Sequence, residues 1–299
     1  MPSVTVRAPA KVNLVLSVGP RRQDGFHELA TVFHAVSVYD EVVAEPDERV
    51  TVTVEGAHAG LVPTGEDNLA ARAAQVLAAY AGVTTGVRLH LRKGIPVAAG
   101  IAGGSADAAA ALVACDALWG TGLGRAELSI LAARVGSDVP FALTGGTALA
   151  TGRGERLTPA MVGGTFHWVL AIADAGLGTP EVYAELDRIR AGRSVAAPVV
   201  APDVLAALRS AEPEALGVLL GNDLQAAAFA LRPGLEATLE AGMGLGALGA
   251  VVCGSGPTCA FLVHDAEHGL DIAVGLAAAE VSADVVRATG PVPGARVLT

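Results

Sequence analysis

The sequence predicts an α+β fold in two parts, and three observations carry that prediction. Its 299 residues are about twice a typical domain length. The first stretch opens on β-branched or alternating segments with turn residues between them, as a sheet requires. Later strands are grouped with helices without strict β-α-β alternation, which favours α+β layers over a doubly wound parallel sheet.

In order along the chain, strands are expected over 4–8, 11–18, 32–38 and 50–55. Asp67 or Asn68 can cap a helix reaching about Tyr80, and 87–93 alternates as a strand with one solvated face. A segment over 94–104 with four glycines and a proline then leads into an alanine-rich helix over 105–118. A helix over 125–134 and a return strand over 147–150 follow, and the boundary is set near residue 160, giving parts 1–160 and 161–299. The second part reads as a strand over 168–173, helices over 181–190, 204–210, 212–220 and 234–241, strands over 247–253 and 258–263, and a last helix over 267–280. The stretch 194–202 reads as a surface linker.

Composition excludes several classes. With 20 basic against 30 acidic residues and a net charge of -10, binding to a nucleic-acid backbone is not expected. Cys115, Cys253 and Cys259 fit neither a disulfide framework nor zinc-ligand spacing, which places the chain in a reducing cytoplasm. The opening residues lack a charged segment followed by an apolar one, so no export is expected. The uncharged run 241–264 contains six glycines and Pro257, so it reads as loops around a buried strand rather than a membrane span.

Five segments can carry chemistry. Pro96-Val97-Ala98-Ala99-Gly100-Ile101-Ala102-Gly103-Gly104-Ser105-Ala106 places small residues between a strand and a helix. Such a junction either cradles phosphate on backbone N–H groups or forms a tight turn capped by Ser105. It is no Walker loop, because the chain contains no Gly-Lys pair, and the G-x-G-x-x-G at 244–249 precedes a strand instead of following one. Lys11 is one of only two lysines, the other being Lys93, and stands on an apolar strand beside Asn13. An ammonium there is either an outward edge lysine or a point charge for a transferred phosphoryl oxygen. Asp138, in Gly136-Ser137-Asp138-Val139-Pro140, is either a turn or N-cap aspartate or a partly buried general base. The turn 253–259 and the loop segment Asp24-Gly25-Phe26-His27 complete the set.

Together these segments resemble the GHMP kinase superfamily, over nearly the whole chain and in order. Its three motifs look like Pro9-Ala10-Lys11-Val12-Asn13-Leu14, the loop from Pro96 to Ala106, and Gly254-Ser255-Gly256-Pro257. Asp24 to His27 and Gly136 to Pro140 narrow the likeness to the branch that acts on a cytidine diphosphate-linked alcohol. The resemblance implies an N-terminal domain like ribosomal protein S5 domain 2, a ferredoxin-like C-terminal domain and an active site in the cleft between them. It implies ATP with Mg²⁺, and phosphorylation of the 2-hydroxyl of a cytidine-bearing methylerythritol on the non-mevalonate route to isoprenoids. The partner is a small molecule, with no nucleic acid and no membrane.

Carried over by position, the likeness makes Lys11 and Asp138 the catalytic pair, with Asp138 accepting the hydroxyl proton. Phe26 and His27 would hold the cytosine ring, with Tyr183 on its other face and Asn13, Thr179 and Pro180 in the same pocket. Asn68 and Lys93 would stand beside the adenine. The magnesium ligand is left open, with Ser105 a candidate, as is the oligomeric state. The chain departs from the usual loop at Ala102 and Ala106, and has Phe26 where tyrosine is common. Two other classes compete: a serine hydrolase built on Gly103-Gly104-Ser105-Ala106-Asp107, which lacks the last glycine of G-x-S-x-G, and a non-catalytic nucleotide-binding module.

Overall fold

The fold is known from a computed structural model that describes residues 3–57 and 59–298, so the first two residues of the segment read for export lie outside it. The first half is built on β1 (Val4–Arg21), β2 (His27–Asp47), β3 (Val50–Gly56), β4 (Gly86–Lys93), β5 (Thr147–Gly152) and β6 (Arg156–Pro159). Helices α1 (Leu69–Ala81), α2 (Gly103–Trp119), α3 (Arg125–Val135) and α4 (Val139–Thr144) cover it. The second half contributes β7 (Phe166–Ile172), α5 (Thr179–Ile189), α6 (Pro202–Ser210), α7 (Pro213–Gly217), β8 (Gly221–Asn222), α8 (Gln225–Leu231) and α9 (Gly234–Gly244). It closes with β9 (Gly249–Val252), β10 (Cys259–Val263), α10 (Ala266–Ala278), β11 (Asp284–Gly290) and β12 (Arg296–Val297).

The class is α+β, as the grouping of elements predicts. One sheet runs β12-β1-β2-β4-β3, with β5 and β6 extending from β2 and β8 joining β1; the second is β11-β7-β10-β9. The strands expected over 4–8 and 11–18 are one strand, because a register shift between Pro9 and Ala10 absorbs the proline's missing N–H. The strand over 32–38 extends back to His27, so His27 opens a strand instead of ending a loop, and Ser105 lies inside α2, whose N-cap is Ala102. Helix 212–220 shortens to α7, and α8 and β11 went unrecognised.

β1 is long enough to use both ends. Val6 and Arg7 pair with β12, and Val15 and Leu16 with β8, so segments of the second half complete the first sheet. Helix α2 carries an almost unbroken run of buried small residues, Ala106 to Ala111, which lets it lie close against the sheet. The main hydrophobic cluster is continuous across the molecule, joining Val12, Leu14 and Leu91 to Phe166, Trp168, Val251 and Leu262.

Candidate active site

The three glycine- and lysine-bearing segments meet around one ammonium. Lys11 Nζ, in β1, donates to Asn13 Oδ1 at 2.7 Å and to the Gly100 carbonyl at 3.3 Å. Residues two apart on a strand leave the same face, so β1 supplies both groups. Asn13 Nδ2 donates to Thr31 Oγ1 at 2.9 Å, and Thr31 Oγ1 donates to the Val15 carbonyl at 2.6 Å. That relay fixes the amide with its oxygen toward the lysine, which can only donate. The Lys11 backbone N–H donates to the Ile101 carbonyl at 3.1 Å, docking the glycine-rich loop on β1. From the other side, a Cβ on Gly254 would lie 3.3 Å from Lys11 Nζ and 3.4 Å from Asn13 Oδ1, with φ at +55°. Glycine therefore lets the Gly254–Pro257 turn close over the pair.

Asp138 faces Lys11 across the cleft. Its Oδ2 is 3.7 Å from Nζ, an ion pair longer than a hydrogen bond. It occupies the N-cap position of α4, yet its side chain makes no capping hydrogen bond, so the carboxylate is left to the cleft. Its side chain is 30% exposed against 7% for Lys11, so a more open carboxylate faces a largely buried ammonium, and both line the cleft.

The cleft itself encloses about 910 Å³. Ala98, Ala99, Gly100, Ala102, Gly103 and Gly104 line one wall with Arg72 and Arg134, and Phe26, His27, Thr179, Pro180 and Tyr183 line another with Arg21 and Arg153. Positive charge is thus concentrated there in a molecule whose net charge is -10, a field that attracts anionic ligands. His27 and Tyr183 stack with ring centroids 5.0 Å apart, and His27 Nε2 lies 2.8 Å from Asp187 Oδ1. The Arg153 guanidinium sits 4.9 Å from the centre of the Phe26 ring, which is otherwise 54% exposed. Burial, then the charge of Asp138, holds the Tyr183 phenol well above its usual range, so Tyr183 is a neutral donor. Thr179 Oγ1 meets Ser255 Oγ at 2.8 Å, tying the start of α5 to the Gly254 turn.

Two residues expected beside the nucleotide are engaged by partners within the protein. Asn68 is a helix cap: its Oδ1 accepts from the N–H groups of Ala70 and Ala71 at 2.9 and 3.2 Å, and its amide donates to the Pro63 carbonyl. Lys93 is turned inward, its side chain 3% exposed and bonded to Asp40 and Asp107, because two buried carboxylates hold its ammonium more strongly than an open cleft does. Neither lines the cleft among the described residues, nor do Pro96, Val97, Ile101, Ser105 and Ala106. Sequence reading missed Arg153, which sits between two glycines in the β5–β6 turn, and Asp187, one helical turn after Tyr183; that spacing was the available signal.

Residues 68–146 match the N-terminal domain of GHMP kinases and residues 204–280 the GHMP kinase C-terminal domain. The chain belongs to the GHMP kinase family. This GHMP kinase is 56% identical over 296 residues to the 4-diphosphocytidyl-2-C-methyl-D-erythritol kinase of Salinispora tropica, covering 98% of the chain and 94% of the relative. It is 55% identical over 296 residues to the protein of that name from Streptomyces avermitilis, covering 99% and 100%. A crystal structure of 4-(cytidine 5'-diphospho)-2C-methyl-D-erythritol kinase matches with a TM-score of 0.77 at 35% identity, over 95% of this chain and 98% of that one. A homoserine kinase from Cytophaga hutchinsonii reaches the same TM-score of 0.77 at 20% identity, over 100% of this chain and 98% of that one, a likeness of fold alone. This GHMP kinase is an enzyme that uses ATP, and none of its helices is long and apolar enough to cross a membrane, among the described residues.

Proposed function

We propose that the protein transfers the γ-phosphoryl group of ATP to the 2-hydroxyl of 4-diphosphocytidyl-2-C-methyl-D-erythritol, in the non-mevalonate supply of isoprenoid precursors. The observation that carries the reading is the Lys11–Asp138 pair at 3.7 Å, in a cleft whose two walls are a glycine-rich loop and an aromatic–histidine pocket. Relatives of that name at 56% and 55% identity over nearly the whole chain support it.

Each residue has a defined task. Asp138 accepts the proton of the attacking hydroxyl, for which its uncapped carboxylate is free. Lys11 orients that carboxylate and presents a positive charge to the transferred group, its own position set by Asn13 and the Gly100 carbonyl. The backbone of Gly100 to Gly104, ahead of and at the start of α2, receives the phosphates at a helix N-terminus. Phe26 and Tyr183 offer apolar faces to the pyrimidine, while His27, held through Nε2 by Asp187, presents its other ring nitrogen to the base. Arg153 and Arg21, lining the same wall, suit the diphosphate.

No three His, Cys, Asp or Glu side chains group to hold a metal among the described residues, which suits a magnesium ion carried in on phosphate oxygens rather than a protein cage. Ser105, the candidate magnesium ligand, stands in the first turn of α2 but does not line the cleft, so the ion's protein ligand stays open. When bound, such an ion neutralises charge on the phosphate oxygens. Three free, buried cysteines support action in a reducing cytoplasm. The test is a panel: purified protein with ATP and Mg²⁺ should phosphorylate the cytidyl alcohol and leave homoserine and mevalonate untouched. Turnover of either of the latter without the former would overturn the substrate assignment.

A further inference from the structure

Beneath the phosphate loop lies a cluster of charged groups that the proposed chemistry does not use. Asp40 in β2 is fully buried, Asp107 in α2 is 3% exposed, and the Lys93 side chain at the end of β4 is 3% exposed. Charges at such depth are retained only when they are paired and hydrogen-bonded. Lys93 Nζ donates to Asp107 Oδ2 at 2.6 Å and also to Asp40 Oδ2. The second oxygen of Asp40 accepts from the N–H groups of Gly94 and Ile95, both at 2.8 Å.

These bonds reach both ends of one segment. Gly94 and Ile95 are the first residues after β4, and Asp107 stands about one helical turn after Gly103, where α2 begins. Between those points the chain runs through Ala98, Ala99, Gly100 and Ala102, which line the cleft, and the carbonyls of Gly100 and Ile101 meet Lys11. We propose that Asp40, Lys93 and Asp107 act as a positioning anchor that joins the two ends of the phosphate loop and holds its backbone N–H groups ready for the nucleotide's phosphates. Lys93 is then a lysine because an ammonium donates in three directions from one point, where the guanidinium fork of arginine is too large and planar for a slot shared by two carboxylates. Burial, together with the charge of Asp40, raises the Asp107 carboxyl to about 7 despite the opposing Lys93, and burial also raises the Asp40 carboxyl against the pull of Lys93 and of the Ile95 and Gly94 N–H groups. The anchor rests on the ATP-dependent reading of the site, and none of its three side chains is among the residues that line the cleft.

Two variants separate anchoring from folding. Asp107→Leu cuts the tether while leaving the Lys93–Asp40 pair balanced, and Asp107→Asn keeps an oxygen that accepts from Lys93. With ATP affinity read directly by calorimetry and KM read for both substrates, Asp107→Leu should weaken ATP by about tenfold, the worth of a hydrogen bond to a charged group, with KM for the alcohol unchanged. Asp107→Asn should stay within about twofold of the parent. A folded Asp107→Leu protein with parental ATP affinity, or one in which both substrates weaken alike, would overturn the anchor. If Asp107→Leu does not fold, hydrogen exchange on the unaltered protein decides: the Gly94 and Ile95 amides should be as protected as those of β4, and exchange at the rate of an open loop would refute the tether. Should the unaltered protein bind ATP but phosphorylate no cytidyl alcohol, the substrate reading fails while the anchor is still measured by the calorimetry.

Discussion

Asp138 and Lys11 form a unit that can be dissected. A general base contributes roughly 10²–10⁴-fold, so Asp138→Asn should lower kcat by about 3–5 kcal/mol of transition-state stabilisation with little change in substrate binding. Lys11→Ala should cost a similar amount, since it removes the group that faces Asp138 at 3.7 Å. Because both act on the same proton transfer, the double variant should lose far less than the summed costs, and additive losses in a double-mutant cycle would show two independent roles. A second residue-scale prediction concerns pH. Burial lowers the His34 pKa from 6.5 to about 3, so the unfolded chain binds a proton that the folded one refuses, and this group removes stability as pH falls below 6.5. Asp107 has the opposite sign: raised from 3.8 to about 7, it removes stability as pH climbs through that interval. Each alone has a slope of at most about 1.4 kcal/mol per pH unit, so they offset each other between about pH 4 and 6.5. Urea unfolding should therefore show Asp107→Asn losing stability on acidification more steeply than the parent, and His34→Gln less steeply. What the sequence revealed at this scale followed from scarcity and context: a lysine on an apolar strand and a carboxylate before proline. Lys93 was equally scarce, but its partners Asp40 and Asp107 lie far off in sequence or behind it, and only the packed β2–β4–α2 layers show where its ammonium points.

At the scale of elements, the phosphate loop is where local rules and tertiary packing disagree. Ala102 has φ at +66°, a left-handed conformation that costs an alanine about 1–2 kcal/mol, while Gly100 at φ +77° is pressed so close that a Cβ would lie 2.5 Å from the Cys253 and Gly256 carbonyl oxygens. Glycine at position 102 should relieve the strain, less the extra chain entropy it brings, so Ala102→Gly should leave the melting temperature unchanged or raise it by the equivalent of up to about 1 kcal/mol. Gly100→Ala should lower it sharply and weaken ATP, because the loop and the Gly254 turn can no longer touch. Thermal melts of the two variants check both, and a destabilised Ala102→Gly would show that the alanine methyl packs usefully. The elements legible in advance were those with a strong period or cap: α1 behind Asn68, α3, α10 and the hydrophobic strand β10. Less legible were α8, whose Gln-Ala-Ala-Ala-Phe-Ala-Leu carries no cap signal, and β11, a short alternating strand whose pairing with β7 lies more than a hundred residues away. A proline inside β1 broke the pattern locally, and only a bulge at that point explains why the strand continues.

For the whole molecule, the question is whether its halves stand alone. A cut at residue 160 falls between β6 and β7, where each sheet keeps most of its own strands. Yet β12 and β8 pair with β1, His34 of the first half packs against Phe166 and Trp168 of the second, and the Thr289 N–H donates to Ser37 Oγ at 2.8 Å. The largest hydrophobic cluster runs through both halves without a break, which is the pattern of a shared core rather than of two domains touching across a polar interface. The site follows the same division, since Lys11, the phosphate loop and Asp138 come from one half and Tyr183, Asp187 and the Gly254 turn from the other. A fragment ending at residue 160 should consequently fail to reach a native state: it would expose the apolar face that Phe166, Trp168 and Leu170 cover, together with the β1 edge that β8 and β12 satisfy. Expressed alone, it should aggregate or show strand and helix signal in far-UV circular dichroism with no cooperative melt. The full chain should unfold in one transition, shifted upward by ATP because the nucleotide binds only the assembled cleft. A sharp, reversible melt from the 160-residue fragment would show that the first half has a core of its own and that the shared cluster is a contact between two finished domains.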